Sequence, residues 1–162
     1  MRTKNLDRVS LGDFVTSPEL AEVKVVYKSR PKERVKVRSS RDAYEIFYQI
    51  FDKDTIEYQE QFYLLLLNRA NMVIGWVRLS QGGMSGTVVD PKVIFSIALT
   101  TCTTCLVLCH NHPSGSIIPS EADLALTKSL GQAGKLLEIT VLDHLIIGQE
   151  GCYYSFADEG II

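Results

Sequence analysis

Alternating and clustered apolar positions divide the first part of the chain into short elements. Residues 21–28 (AEVKVVYK) alternate in polarity, which predicts a strand. Ser39 or Ser40 can cap a helix that runs to about Phe51. The apolar residues of this helix recur at helical spacing and share one face: Ala43, Ile46, Phe47, Ile50 and Phe51.

Two apolar runs follow, and a polar tetrapeptide separates them. Residues 61–67 (QFYLLLL) and 72–79 (MVIGWVRL) flank residues 68–71 (NRAN). Apolar runs bounded by turn residues are typical of strands in a buried sheet, so we predict a hairpin here. Residues 81–86 (QGGMSG) are rich in glycine and predict a flexible loop.

A helix and a strand are predicted next. Asp90 is a capping residue, and Pro91 suits the first helical position, so a helix is expected from here to about Thr103. Residues 105–109 (CLVLC) predict a buried strand that leads directly into His110.

The C-terminal part repeats this alternation. Ser120 is predicted to open a helix that ends near Gly134, its expected C-terminal glycine. Strands are predicted at residues 138–147 and 152–156. Because strands and helices interleave, the predicted fold class is α/β (α+β), with a mixed β-sheet flanked by helices.

Composition excludes several classes of protein. The chain has 162 residues, enough for one domain, and its net charge of −2 argues against a polycation built for nucleic acid. No apolar run reaches the roughly 18 residues that a membrane helix needs. The N-terminus lacks the apolar core of a signal peptide. We therefore expect a cytoplasmic protein whose cysteines are reduced thiols.

Residues 110–115 (HNHPSG) carry the most distinctive chemistry of the chain. His110 and His112 are two positions apart, so in an extended segment their side chains point the same way while Asn111 points elsewhere. Pro113 disfavours helical geometry at His112. Two such imidazoles are either metal ligands or ordinary loop histidines, and these interpretations are balanced until the residues downstream are considered.

Ser120 and Asp123 lie downstream, at the predicted start of a helix. Their spacing resembles a capping box, although Glu or Gln is the usual partner. Capping alone explains both residues, but it is compatible with catalysis, because a carboxylate in the first turn stays ionised beside the helix dipole. Two imidazoles and a carboxylate, with a position left for water, form the ligand set of an open zinc site. This set predicts a metal-dependent hydrolase.

A hydrolytic zinc site also needs a general base. The HExxH motif is absent, which excludes the zincin arrangement. We choose Glu60, immediately before the predicted strand, with Glu57 and Glu121 as competitors. Each of the three is equally compatible with an ordinary surface charge.

The run from Glu60 to the end of the chain resembles the RadC family, a bacterial branch of the JAMM (MPN) metalloprotease domains. The string HNHPSG followed by PSxxD is its most specific motif. The matching segments are Glu60-Gln61-Phe62, Leu67-Asn68, Asp90-Pro91-Lys92, His110 to Gly115, Pro119-Ser120 with Asp123, Leu142-Asp143-His144 and Tyr154-Ser155-Phe156.

This resemblance implies an architecture and an activity. It implies the JAMM/MPN, cytidine-deaminase-like fold and a zinc-dependent hydrolase that cleaves an amide or isopeptide bond of a peptide or protein. It also implies that Zn2+ is held by His110, His112 and Asp123. Glu60 is implied as the base and Ser120 as the hydroxyl that supports the oxyanion.

The N-terminal region departs from the family pattern. We divide the chain into an N-terminal arm with a basic segment, residues 1–40, and a JAMM/MPN metal-binding domain, residues 41–162. Longer RadC proteins carry a helix-hairpin-helix-like region that residues 1–40 are too short to hold. The runner-up function is a non-enzymatic, DNA-repair-associated module that binds DNA or protein.

The basic residues within 30–41 predict a weak nucleic-acid contact or, alternatively, a charged strand edge. A homo-oligomer is left open, and no membrane partner is expected.

Two further patterns have plainer interpretations. His144 lies in an apolar stretch and is predicted to be a core histidine, or one that orients a metal ligand, in preference to a ligand itself. Cys102 and Cys105 form a CxxC motif, but it precedes the histidines and no H-x-E accompanies it, unlike in zinc deaminases. We predict small buried thiols at these positions.

Overall fold

The computed structural model describes residues 33–82, 89–148 and 151–162. The strand predicted at 21–28 and most of the loop predicted at 81–86 lie outside these residues. The elements within them are α1 (Ser40–Ile50), β1 (Gln61–Leu67), β2 (Val73–Gln81), α2 (Pro91–Thr100), β3 (Cys105–Asn111), α3 (Glu121–Leu136), β4 (Thr140–Ile147) and β5 (Tyr153–Ser155).

The five strands form one mixed sheet in the order β2-β1-β3-β4-β5. β1 is antiparallel to both β2 and β3, whereas β3 and β4 are parallel and α3 connects them. β5 closes the sheet antiparallel to β4. The predicted fold class, a mixed sheet with flanking helices, is confirmed.

Helices cover both faces of the sheet. On one face, Phe47 of α1 belongs to a core that includes Tyr63 and Leu65 of the sheet. On the other face, Ile94 of α2 and Leu130 of α3 share a core with sheet residues such as Leu108. Every residue of β1 is buried because this strand lies between two strands and two helical layers.

Local signals placed the helix starts correctly. The Ser39 side chain caps α1 by accepting a hydrogen bond from the backbone N–H of Asp42, and Phe51 ends the helix as predicted. Asp90 caps α2 in the same way, with Pro91 at the start of that helix. The predicted hairpin is also present, as β1 and β2.

Several predicted boundaries were wrong. α2 ends at Thr100 and not near Thr103, because Cys102 adopts a left-handed φ of 54° that a helix does not accommodate. α3 continues past Gly134 to Leu136. β4 begins at Thr140, two residues late, because Glu138 has a φ of 55°.

Gly134 has a packing role. A Cβ at this position would lie 2.3 Å from the carbonyl oxygen of Ile139, so a side chain cannot be fitted without a shift of the backbone. The chain therefore turns back tightly against α3, and the N–H of Ile139 donates to the Gly134 carbonyl at 2.8 Å. No helix of the described residues is both long and apolar enough to cross a membrane.

Candidate metal centre

β3 delivers His110 into the protein interior. His110 is the sixth residue of this strand, pairs with Phe62 of β1 and is fully buried. Its ring stacks on Phe62 with the ring centroids 5.9 Å apart. β3 extends beyond the predicted Cys109 and includes Asn111. The pairing of β3 with β1 and the stacked ring of Phe62 thus fix the position of the His110 imidazole.

His112 lies just outside the strand and is partly exposed. Its Nδ1 lies 3.0 Å from the carbonyl oxygen of Ser116, which orients the ring so that Nε2 faces His110. The side chain keeps 19% of its surface accessible, against none for His110. The segment that follows β3 therefore supplies a second imidazole on the solvent side of the first.

The N-terminus of α3 supplies the carboxylate. The Ser120 hydroxyl accepts from the backbone N–H of Asp123, and the Asp123 carboxylate accepts from the backbone N–H of Ser120 at 2.7 Å. The Ser120 hydroxyl also lies 2.6 Å from Asp123 Oδ2, to which it donates. The capping box is present, with aspartate in place of the usual glutamate. It holds the Asp123 side chain in one orientation.

The three side chains converge on one point. His110 Nε2 lies 3.0 Å from His112 Nε2 and 3.2 Å from Asp123 Oδ1. His112 Nε2 lies 3.4 Å from Asp123 Oδ2. Among the described residues, this is the group of His, Cys, Asp and Glu side chains close enough to share a metal ion. The set is compatible with zinc, which favours nitrogen and oxygen donors of this kind.

The electrostatics of the group keep the carboxylate ionised. Burial by itself would raise the pKa of Asp123, but the hydrogen bonds of His110 and His112 outweigh it and hold that pKa far below its usual range. The hydrogen bond to Asp123 in turn raises the pKa of His112. Asp123 therefore has the charge of a metal ligand at any physiological pH.

Glu60 acts electrostatically on this group. It immediately precedes β1, and its charge contributes to the raised pKa of His112, which places the two side chains within electrostatic reach of each other. Its competitors lie nearby: Glu57 lines a cavity of about 400 Å3 together with His112, and Glu121 is exposed in the first turn of α3.

Asn111 holds the segment that carries Glu60. The Asn111 side chain points away from its histidine neighbours, where its Oδ1 accepts from the backbone N–H of Gln61 at 2.8 Å. Its Nδ2 donates to the carbonyl oxygens of Gln59 and Ile56. The peptide groups on both sides of Glu60 are thereby bound to β3. The sequence gives no local sign of this role, since the partners are some fifty residues away.

His144 is fully buried behind His110 and is not part of the converging group. Its Nε2 lies 2.9 Å from Nδ1 of His110, and its ring stacks on Phe156. Burial lowers the pKa of His144 well below its ordinary value, so the ring is neutral. The prediction of a core or orienting histidine agrees with this position.

The cysteines and the basic segment lie apart from the metal centre. Cys109 is buried, and burial raises the pKa of its thiol. Cys102 is exposed because it lies in the turn after α2, so the prediction of a buried thiol was wrong at this position. Within the basic segment, Val37 is buried and Lys36 bridges to Met72. The described part of this segment thus makes a single isolated β-bridge and forms no strand, and nucleic-acid contact stays a prediction.

The fold and the converging side chains define a mixed α+β domain with a candidate metal centre at the end of a central strand. Residues 37–161 match the family model described as the RadC-like JAB domain. The chain belongs to the RadC-like JAB domain family.

Relatives carry names that describe no activity. A UPF0758 protein of Flavobacterium johnsoniae is 47% identical over 126 residues, which cover 78% of this chain and 53% of that protein. The UPF0758 protein Mbar_A2303 of Methanosarcina barkeri is 33% identical over 162 residues, all of this chain and 68% of that protein. The chain thus spans about half to two-thirds of the length of these relatives.

Proposed function

We propose that this domain is a zinc-dependent hydrolase of the JAMM type that cleaves an amide or isopeptide bond in a peptide or protein. The observation that carries the proposal is the convergence of His110, His112 and Asp123. Membership of the JAB domain family supports the same reaction class.

The spacing of the donor atoms is close to the spacing of zinc ligands. Ligands about 2.0–2.1 Å from a tetrahedral zinc ion lie about 3.3 Å from one another. Here the two imidazole Nε2 atoms lie 3.0 Å apart. His110 Nε2 lies 3.2 Å from Asp123 Oδ1, and His112 Nε2 lies 3.4 Å from the other carboxylate oxygen, Oδ2. Three protein ligands leave a fourth position for water or substrate, as catalytic zinc sites do and structural zinc sites do not. His112 and Asp123 line the accessible side of the group, with 19% and 13% of their side-chain surfaces exposed.

Glu60 is the proposed general base. Zinc bound here would lower the pKa of a coordinated water to about 7 and polarise a substrate carbonyl. The Glu60 carboxylate would accept a proton from the attacking water and later donate it to the nitrogen of the leaving amine. Two observations support this assignment over Glu57 and Glu121. The charge of Glu60 acts on His112, and Asn111 holds the peptide groups on both sides of Glu60 by hydrogen bonds.

Ser120 has a proposed role beyond capping. Its hydroxyl donates to Asp123 and is exposed at the start of α3, on the accessible side of the ligand group. A rotated hydroxyl would donate a hydrogen bond to the developing oxyanion. The cavity of about 400 Å3 beside His112 offers room for the substrate, with Tyr48, Ile56 and Pro113 among its walls.

The test compares Glu60→Gln with the parent protein loaded with zinc. The glutamine variant should keep the zinc content, measured by elemental analysis, while turnover of peptide or isopeptide-linked substrates falls by about 10²-fold or more. Glu57→Gln and Glu121→Gln are the matched controls and should retain the parent rate. If Glu60→Gln retains the parent rate and a control loses it, the base is the control residue. A parent protein without bound zinc would refute the proposal itself.

A further inference from the structure

A chain of hydrogen bonds runs behind the candidate metal centre and joins two of its proposed ligands. The Thr127 hydroxyl donates to the backbone carbonyl of Asp123 at 2.6 Å. The same hydroxyl lies 2.6 Å from Nδ1 of His144, and Nε2 of His144 lies 2.9 Å from Nδ1 of His110. This series of hydrogen bonds begins at the backbone of Asp123 and ends on the ring of His110.

The proton positions in this chain follow from its first member. A carbonyl oxygen can only accept, so the single hydroxyl proton of Thr127 goes to Asp123. The hydroxyl oxygen must then accept a proton from Nδ1 of His144. A neutral imidazole protonated at Nδ1 presents a lone pair at Nε2, and that lone pair accepts from Nδ1–H of His110.

We propose that His144, held by Thr127, is a positioning residue that fixes the tautomer of His110. When a metal ion is bound, the proton of His110 stays on Nδ1 and its lone pair lies on Nε2, the atom that faces His112 and Asp123. The inference rests on the proposed function, because a fixed lone pair matters only where that nitrogen binds a metal ion. Metal-binding histidines depend on the partner of their second nitrogen for orientation and basicity.

The surroundings of the chain favour this role over simple core packing. His110 and His144 are fully buried and Thr127 is 2% exposed, so water does not compete for these hydrogen bonds. Phe62 and Phe156 stack on the two rings and prevent their reorientation. A helical threonine commonly donates to the carbonyl four residues before it. Because the Thr127 hydroxyl donates to that carbonyl, its oxygen is left to accept a hydrogen bond from His144.

The first test reads the tautomers directly. The chain has three histidines, and all belong to this site, so long-range nitrogen-15 spectra of the zinc-loaded protein contain few ring signals. We expect the His144 proton on Nδ1 and its Nε2 to resonate as an unprotonated acceptor. A His144 ring protonated at Nε2 would overturn the proposal, because Nε2–H cannot accept from His110.

The second test measures zinc affinity by competition with a chromophoric chelator. Thr127→Val removes the hydroxyl with little change in shape, and we expect its zinc affinity to fall by about 10- to 100-fold. Thr127→Ser keeps the hydroxyl and should restore the parent affinity. Thr103→Val is the matched control, a threonine 4% exposed at the other end of β3, and it should leave zinc affinity unchanged.

The outcomes separate this inference from the proposed function. Equal zinc affinities for Thr127→Val and Thr103→Val, in variants that unfold at the same temperature, would overturn the positioning role while the zinc hydrolase proposal stands. Failure of the parent protein to bind zinc would refute both. If Thr127→Val does not fold, the tautomer spectrum of the parent protein still decides the question. His144→Gln, which retains an acceptor group, should lose less affinity than His144→Leu.

Discussion

The candidate metal centre has two halves that differ in how they are held. The inner half consists of His110, His144 and Thr127, all buried and hydrogen-bonded to one another. The outer half consists of His112, Ser120, Asp123 and Glu60, which are partly or fully exposed. Tertiary packing fixes the inner half, whereas a loop, a helix cap and the residue just before β1 present the outer half to water.

This difference separates two tasks. The inner half sets the position and protonation of the His110 imidazole. Because its polar atoms are buried, the loss of any one hydrogen bond among them should lower stability. The outer half must meet water and substrate, so its members keep part of their surface free. We expect substitutions in the inner half to change stability and metal affinity together, and substitutions in the outer half to change chemistry with little loss of stability.

The largest expected effect comes from the two proposed histidine ligands. His110→Ala and His112→Ala should both abolish zinc binding, but their metal-free forms should differ in stability. His110→Ala leaves a cavity and an unpaired nitrogen on His144, which should cost about 3 kcal/mol or more. His112→Ala should cost about 1 kcal/mol or less, since the side chain is partly exposed. Denaturant unfolding of chelated protein measures both, and equal costs would contradict the division into halves.

Ser120 tests whether a member of the outer half has two roles. Ser120→Ala should cost about 1 kcal/mol of stability through loss of the cap. Turnover should fall by about 10²–10³-fold through loss of the oxyanion donor. Ser120→Thr keeps the hydroxyl and should retain most of the stability and turnover. If the alanine variant loses stability and keeps its turnover, the hydroxyl is a cap and nothing more.

Substitution of Asn111 tests whether its hydrogen bonds to the backbone on both sides of Glu60 serve the proposed base. Asn111→Ala releases the peptide groups on both sides of Glu60, and a displacement of about 1 Å can cost about 10²-fold in rate. Zinc affinity should change little, because Asn111 points away from the ligands. Kinetics and chelator competition on the same sample provide the measurement. A loss of zinc affinity as large as that of Thr127→Val would show that the two halves are not independent.

The smallest expected effect is the pH dependence of the metal-free protein. The hydrogen bond to Asp123 raises the pKa of His112 above its unfolded value of about 6.5. The added stability is therefore fully present below pH 6.5 and is lost as the pH rises through the folded pKa. Unfolding of chelated protein should show this decline as the pH rises above about 6.5. His112→Gln should remove it, and an unchanged slope in that variant would assign the decline to another group.

Much of the fold and of the candidate site follows from short-range patterns. Ser39 and Asp90 allowed two helix starts to be predicted, because a capping hydrogen bond spans only two or three residues. His110, His112 and Asp123 were predicted together because a strand end and a helix cap lie within fourteen positions of each other. Glu60 was chosen as the base for its place before a predicted strand, and the family resemblance implied the same residue, since no local rule separates it from Glu57. Its role stays a prediction.

The sequence by itself therefore determined the elements, the mixed sheet and the cluster of candidate ligands. The tertiary structure alone decided which distant atoms complete that cluster. Thr127 looks like an ordinary helical threonine, and His144 like a histidine in an apolar strand, until the register of β3 against β4 and the return of α3 bring both to His110. Gly134 likewise matched the pattern of a C-terminal glycine, but it lies within α3, where the Ile139 carbonyl leaves no room for a side chain. Capping and periodicity act over a few residues, whereas these contacts depend on strand register and layer packing, which no short stretch of sequence encodes.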